Sequence, residues 1–256
     1  SLYEHFRIIA ARINQEQEIP PAYINTYTAN VYNAADYGTV AAAYAAAVAD
    51  TIITGGRAVV FIPVGTTNLG NTFTVSAQVD IVGVSRENSI INCEIVGGVA
   101  QGIIVTVGNF NIRDVHFYYA STSHTVGAAL MIKASAQTIS NVKTTNAYDA
   151  FSLGAGTLCG DICMDNILTF NTKNDSIRME NVIDVHGNRL YLQGQSSMTA
   201  GSGWHLIGNT EGSVFTNCSN IYGLKGINID SSYDPPSRGS CAAFTYFIGC
   251  LFDTSG

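Results

Sequence analysis

Seven polar residues that can carry acid–base or binding chemistry fall in one part of the sequence, each beside a short apolar run. They are Asp149, Asp175, Arg178, Glu180, His205, Asn228 and Asp230. Cleavage of a glycosidic bond uses two carboxyl groups that flank the scissile bond. The candidate catalytic acids are therefore Asp149, Asp175, Glu180 and Asp230. A close pair of carboxylates also raises the pKa of one member, as a general acid requires.

The remaining polar and aromatic candidates suit binding of a glycan rather than its cleavage. The guanidinium of Arg178 can hold an acidic sugar, and His205 can orient a hydroxyl. Three tyrosines lie in or beside the longest inserts, where an aromatic face can stack on a sugar ring. The predicted glycan-binding set is Arg178, His205, Asn228, Tyr119, Tyr222 and Tyr233. Simpler roles stay open: turn aspartates that bond their own backbone, and an Arg178 ion pair with Asp175 or Glu180.

A repeat of about 25 residues positions these side chains. Marker residues sit in five similar strands with spacings of 27, 25, 22 and 29, namely Asp114, Asn141, Asn166, Asn188 and Asn217. A second strand recurs once in each repeat. Such short strands bury their apolar side only when they stack as coils of a solenoid. The sequence therefore predicts an all-β chain, a right-handed parallel β-helix.

Equivalent positions of successive coils stack about 4.8 Å apart, so columns of side chains can be derived from the repeats. In the second strand the predicted outward column is Met131, Ser152, Arg178, His205 and Asn228. Asp149 and Asp175 are predicted to lie one coil apart, and Glu180 and Asp230 two coils apart. The asparagine markers are predicted to form a ladder of side-chain amides along the stack.

Two helices are predicted before the repeats. Residues 1–19 place Leu2, Phe6, Ile9 and Ile13 on one stripe, which suits a helix that packs on its own domain, joins copies or grips a neighbouring protein. The alanine-rich stretch 41–53 is predicted to cover the open edge of the first coil. The domains expected are a helix and linker over 1–31 and a β-helix over 32–256, which we expect to continue beyond residue 256.

Composition narrows the classes of partner and cofactor. The chain has 256 residues, 12% charged residues and a net charge of −7, which argues against nucleic acid or an anionic membrane as partner. No apolar run reaches the roughly 18 residues that span a bilayer. The histidines have no metal-binding spacing, so we expect no metal and no cofactor. The cysteines are predicted to be reduced and buried.

Residues 32–95 carry a resemblance to a known superfamily. Asp36, Tyr37 and Gly38 precede the alanine-rich helix, and a Gly-Gly pair, Phe61, Pro63, Gly65 and Gly83 follow it. This order resembles the opening segment of the pectin-lyase-like β-helix superfamily. One stretch departs from that pattern, since Thr39 and Val40 stand where members of the superfamily carry a longer acidic loop.

Within that superfamily the chain looks like a bacteriophage tailspike or tail fibre. The resemblance implies a homotrimer in the virion, assembled in the host cytoplasm, that binds a bacterial surface polysaccharide and joins other tail or baseplate proteins through residues 1–19. It leaves open a glycoside hydrolase, a polysaccharide lyase and a structural or receptor-binding tail protein without catalysis. A secreted polysaccharide lyase is a further alternative, although the clustered aspartates of a calcium site are not evident in the sequence.

Overall fold

The chain forms a parallel β-helix of about seven turns, so the predicted fold class is confirmed. The computed structural model describes residues 30–54, 56–195, 201–222, 225–230 and 244–253. The predicted helix 1–19 lies outside the described residues. Among the described residues, no helix is both long and apolar enough to cross a membrane.

The larger sheet has thirteen strands among the described residues. Its path runs β1 (Asn30–Asn33), β2 (Ala58–Ile62), β5 (Val79–Gly83), β10 (Asn111–Tyr119), β12 (Gln137–Thr145), β14 (Cys159–Thr172), β16 (Val182–Gly194), β18 (Val214–Thr216) and β21 (Tyr246–Ile248). Four shorter strands complete it: β3 (Gly65–Asn68), β6 (Ser89–Cys93), β19 (Ser219–Ile221) and β22 (Leu251–Asp253). The first strand takes up Asn30 and Val31, which the sequence had placed in a linker.

The smaller sheet has seven parallel strands in the described part of the chain, and we call its outward side the sheet-B face. In chain order its strands are β4 (Phe73–Val75), β9 (Ile103–Val105), β11 (Ala128–Ile132), β13 (Asp149–Leu153), β15 (Ile177–Glu180), β17 (Ser202–Ile207) and β20 (Lys225–Asp230). A two-stranded antiparallel ribbon, β7 (Ile95–Val96) with β8 (Val99–Ala100), projects from one coil.

The long strands of the larger sheet bend at a residue with positive φ. Asp114, Asn141, Asn166 and Asn217 occupy this corner with φ between 53° and 59°, a region in which asparagine and aspartate are enriched. The predicted amide ladder is present where Asn166 Nδ2 donates to Asn141 Oδ1 at 3.1 Å. Asn188 is not the corner residue: it pairs with Asp165, and Arg189 takes the corner with φ 56°. The predicted marker was therefore wrong by one residue.

The core runs along the inside of the coils as stacked apolar columns. Leu130, Phe151, Ile177 and Trp204 align in successive strands of the smaller sheet, and each is fully buried. They alternate with the outward column that the sequence predicted, so they point inward. Stacking of each coil on its neighbours removes both sides of this column from water, which is the main stabilising term of the fold.

The predicted capping helix is present as α1 (Val40–Thr54). The Thr39 hydroxyl accepts the Ala42 N–H at 3.1 Å, which caps its first turn. Val40, Ala43 and Ala47 are fully buried against the first coil, and the Tyr44 ring stacks on Phe73 with centroids 4.9 Å apart. The helix thus shields the end of the core, as predicted.

Candidate functional site on the sheet-B face

The register of the smaller sheet brings the predicted outward column together. Met131, Ser152, Arg178, His205 and Asn228 are aligned in five successive strands. The same register places Asp149, the first residue of β13, one coil from Asp175, which lies two residues before β15. The outward column of the second strand is therefore aligned as the sequence predicted.

Asp149 and Asp175 form a close pair of buried carboxyl groups, 8% and 2% exposed. Asn174 joins them, because its Nδ2 lies 2.8 Å from Asp149 Oδ1 and 3.4 Å from Asp175 Oδ2. These two contacts together limit the separation of the two oxygens to about 6.2 Å. That limit is shorter than the roughly 6.5–9.5 Å at which inverting glycosidases hold their carboxyl groups.

Backbone donors hold both carboxyl groups in place. Asp149 Oδ1 accepts the Asp175 N–H at 3.0 Å, and Asp175 Oδ1 accepts the Ser202 N–H at 2.9 Å. Each carboxyl group therefore bridges to the next coil of the solenoid. The bonds fix the orientation of the pair before any ligand arrives, which is a requirement of an efficient site.

His205 is the third member of this cluster. Its Nδ1 lies 2.7 Å from Asp175 Oδ2, and a carboxylate can only accept, so Nδ1 carries the proton. The ring nitrogen Nε2 has no hydrogen-bond partner among the described residues. Nε2 is itself buried. Because Nδ1 carries the proton, Nε2 is the ring nitrogen that can act as a base.

Burial raises the pKa of Asp149 to about 6, and the negative charge of Asp175 adds to the rise. The Asp175 N–H, Asn174 and the charge of Arg178 oppose it. Burial also raises the pKa of Tyr148, again with help from Asp149 and Asp175. A carboxyl group with a pKa near 6 can stay protonated close to neutral pH and act as a general acid.

Arg178 and Glu180 lie further along the same strand. Arg178 Nη2 is 3.4 Å from Glu180 Oε2 in a partly exposed ion pair, which is one of the simpler roles that the sequence allowed. Glu180 stands five residues after Asp175, or about 16 Å along a strand. Glu180 aligns with Ile207 and then Asp230, two coils or about 9.6 Å apart. The four predicted acids thus form two separate pairs.

The insert 120–127 forms a wall beside the acid pair. Lys173 Nζ donates to the carbonyls of Thr122 and His124 at 3.0 and 2.7 Å, which ties the insert to the turn that carries Asn174. The His124 ring contacts Tyr148 edge-on at 6.0 Å. The insert therefore lies beside the turn that carries Asn174 and the acid pair.

The predicted role of Tyr119 is corrected by its position. Tyr119 is fully buried, and its hydroxyl donates to the Gln101 carbonyl at 2.6 Å. It therefore has no free face for a sugar ring and belongs to the core. Its neighbour Tyr118 alternates to the outside of the strand, as the twofold side-chain period of a strand requires.

The other predicted ligand residues are placed as follows. Tyr222 is 42% exposed in the turn before β20. The Asn228 Oδ1 accepts from Lys225 Nζ at 3.0 Å. Tyr233 lies outside the described residues. Among the described residues, no group of three His, Cys, Asp or Glu side chains can hold a metal ion.

Sequence reasoning missed Tyr148 and Asn174. Each directly precedes a predicted acid, so both belong to turns that the repeat alignment treats as variable. A usable signal was present, because in a solenoid the residue before each strand faces the same corner as its equivalents in the neighbouring coils.

The sequence matches no protein-family model and no curated protein. Several solved structures share the fold. The catalytic domain of a GH87 α-1,3-glucanase in complex with nigerose aligns with a TM-score of 0.66 and 13% identity, over 94% of this chain and 48% of that chain. A tailspike of the Acinetobacter baumannii bacteriophage Fri1, a capsular polysaccharide depolymerase, aligns with a TM-score of 0.57 and 14% identity, over 88% and 48%.

A pectin methylesterase in complex with a hexasaccharide aligns with a TM-score of 0.53 and 14% identity, over 90% of this chain and 81% of that chain. The chain spans about half the length of the glucanase and tailspike chains. At these identities the likeness defines the class of fold, a pectin-lyase-like parallel β-helix, and leaves the activity to be argued from the site.

Proposed function

We propose that the chain is part of a phage tailspike that binds and depolymerises a bacterial surface polysaccharide during host adsorption. The observation that carries the proposal is the buried Asp149–Asp175 pair, in which burial and a neighbouring charge raise the pKa of Asp149 to about 6. The structural neighbours add support, because their names describe a glucanase, a capsular polysaccharide depolymerase and a pectin methylesterase.

In the proposed reaction Asp149 is the general acid and gives its proton to the glycosidic oxygen. His205 Nε2 is the base, and it removes a proton either from an attacking water or from a sugar carbon. Asp175 is the positioning residue that holds the histidine through Nδ1 and stabilises the imidazolium that forms. The first route is hydrolysis, and the second is the elimination of a lyase.

The proposal also covers how the chain assembles. The working unit is a homotrimer on the phage tail, attached to other tail or baseplate proteins through residues 1–19. Support comes from the apolar stripe in that segment and from the likeness to a phage tailspike. Glu180, Arg178 and Asp230 are then ligands of the polymer further along the face.

One observation favours a second candidate, a receptor-binding or structural tail protein without catalysis. Both carboxyl groups of the pair accept backbone N–H groups of the next coil, and such bonds also stabilise a solenoid that has no active site. In that case the face would bind a glycan and leave it intact.

The experiment is incubation of the full-length protein with purified capsular, lipopolysaccharide and teichoic polymers, followed by size-exclusion chromatography and absorbance of unsaturated uronate. Asp149→Asn should stop shortening without a change of oligomeric state, whereas Asp161→Asn, an exposed position away from the pair, should leave the rate unchanged. Shortening without new absorbance means hydrolysis. A polymer that binds and is not shortened by wild type supports the second candidate.

A further inference from the structure

A second groove lies on the outward face of the larger sheet, at the corner where β14 and β16 bend. It encloses about 410 Å³ and we call it the corner groove. Its lining includes Cys163, Asp165, His186, Asn188, Arg189 and Thr216. This volume is within the range of small-molecule sites. None of these residues belongs to the sheet-B face.

The polar side chains of the corner groove form one connected chain of hydrogen bonds. Thr216 Oγ1 donates to Asn188 Oδ1 at 3.0 Å, and Asn188 Nδ2 donates to Asp165 Oδ1 at 2.9 Å. Arg189 closes the chain with two N–H groups on the Asp165 carboxylate, Nε at 3.1 Å from Oδ1 and Nη2 on Oδ2. The groups are therefore oriented before a ligand binds.

The corner position itself gives no reason for an arginine. Arg189 has φ 56° where the equivalent residues of other coils are Asp114, Asn141, Asn166 and Asn217, and a long side chain is unfavourable in that conformation. It also interrupts the ladder, since Asn217 Nδ2 donates to Asn188 Oδ1 at 3.3 Å instead of to a corner amide. What the arginine adds to the groove is a guanidinium with three N–H groups beyond the two that Asp165 uses.

The charge of the groove selects the class of ligand. Asp165 and Arg189 are about half exposed, at 44% and 58%, and cancel each other, so the lining offers donors and acceptors without net charge. Tyr246 follows Val214 in the same outward column and is 54% exposed. Paired donors and acceptors beside an exposed aromatic face suit the hydroxyls and the apolar face of a neutral sugar.

We propose that the corner groove binds neutral sugar units of the polysaccharide, separately from the sheet-B face. The inference rests on the proposed function for the choice of a sugar polymer as ligand. Because the corner groove and the acid pair lie on different sheets, the groove holds the polymer without taking part in its cleavage.

The test uses Cys163, an exposed cysteine within the groove. Iodoacetamide labels the full-length protein with and without a panel of neutral hexasaccharides of glucose, galactose and mannose, and with a matched hexauronate. Mass spectrometry locates the label. A neutral hexasaccharide should slow labelling of Cys163 at least fivefold at saturation, while the hexauronate should not.

Two variants break the ion pair of Asp165 and Arg189, one by removing the positive charge and the other by removing the negative charge. Arg189→Asn suits the positive φ of the corner, and Asp165→Asn keeps an acceptor for Asn188. Each should raise the hexasaccharide concentration that gives half protection at least tenfold, so net charge cannot be the cause. Thr138→Ala, an exposed residue next to Cys163 in the outward column and outside the groove, should leave protection unchanged.

Three results would overturn the inference: no protection by any neutral hexasaccharide, equal protection in both variants and wild type, or protection by the hexauronate alone. Chain shortening is measured in the same samples. The capsular, lipopolysaccharide and teichoic polymers are included for this purpose. Shortening of one of these polymers without protection of Cys163 refutes only the corner groove, and protection of Cys163 without shortening of any of these polymers refutes only the catalytic proposal.

Discussion

His205 Nδ1 lies 2.7 Å from Oδ2 of Asp175, a carboxyl group that is 2% exposed and bound to the backbone of the next coil. Asp175 thus accepts hydrogen bonds from the Ser202 N–H and from His205, and it stands one coil from the protonatable Asp149. It positions the histidine on one side and raises the pKa of its neighbour on the other. The two effects can be separated by measurement.

Asp175→Asn should lower the pKa of Asp149 below its value of about 6. The variant removes the second-largest cause of the rise, the charge of Asp175, and leaves burial, the largest, in place. The pKa should therefore fall toward the 3.8 of a free side chain. Titration of the side-chain carboxyl carbons by NMR measures the shift.

The same variant tests the hydrogen bond to His205. An asparagine amide that donates to Nδ1 would move the ring proton to Nε2, which ¹⁵N spectra of the imidazole report directly. Asp161→Asn, with φ 54° at an exposed corner where asparagine fits, is the matched control. If Asp149 titrates identically in Asp175→Asn, the charge coupling described above is wrong.

Asp149→Asn should stabilise the protein at pH 7.5 and have little effect at pH 4. The folded-state pKa of about 6 exceeds the unfolded value, so this group contributes stability below pH 4 that is lost as pH rises through 6. A shift of about two units corresponds to about 3 kcal/mol. Urea unfolding of wild type and variant at the two pH values gives the difference.

The comparison between variant and wild type also removes a competing effect. Burial lowers the pKa of His116 to about 4, which makes stability fall as pH drops below 6.5. This trend has the opposite sign but is common to both proteins, so it cancels in their difference. If the stability of the variant relative to wild type does not rise between pH 4 and pH 7.5, the folded-state pKa of Asp149 is not raised.

Cys163 should react much faster than the three buried cysteines of the described residues. It is exposed, which corrects the prediction that the cysteines are buried, whereas Cys93, Cys159 and Cys218 are buried. Burial raises the pKa of Cys93 and Cys218 to about 12 and of Cys159 to about 11, so these stay as unreactive thiols. Iodoacetamide labelling at pH 8, read by peptide mass spectrometry, should modify Cys163 long before the other three.

Cys163→Ala is the control for that measurement. The fast phase should vanish in this variant while the labelling of Cys93 and Cys218 is unchanged. Comparable rates at Cys93 and Cys163 would mean that the coils open under native conditions, contrary to a core packed along its whole length.

The repeats predicted the fold because every coil must bury apolar side chains at the same inward positions. Ile103, Leu130, Phe151 and Ile177 recur because each must fill the same inner column. Asn188 was misplaced because its neighbour Arg189 takes the positive φ that asparagine usually fills. At this corner the preference of asparagine for positive φ does not hold, and only the register of the strands shows which residue occupies the corner.

The sequence predicted which side chains share the outward column, but it did not predict which side chains contact one another. The outward column followed from the alternation of the strands, but the bond between Asp175 and His205 crosses coils at a three-residue offset, which the period does not specify. Tyr119 was misplaced for a related reason, since an aromatic residue beside an insert can turn into the core as easily as toward solvent. Side-chain direction at a corner depends on packing that one sequence does not display.

Asn166 shows how the corner stabilises the stack. Its Nδ2 donates to Asn141, while Arg86 Nη1 donates to its carbonyl at 2.8 Å and lies 3.2 Å from its Oδ1. Asn166→Gly keeps the backbone free at φ 55° but loses the two side-chain bonds, at about 1 kcal/mol each. Asn166→Ala loses them too and adds about 1 kcal/mol of backbone strain.

Denaturant unfolding should therefore give the highest stability for wild type, a lower one for Asn166→Gly and the lowest for Asn166→Ala. The control Ser140→Ala, in the preceding strand, should change stability by less than about 0.5 kcal/mol. An alanine variant as stable as the glycine variant would show that the positive φ carries no cost here, and the asparagines would then serve the ladder alone.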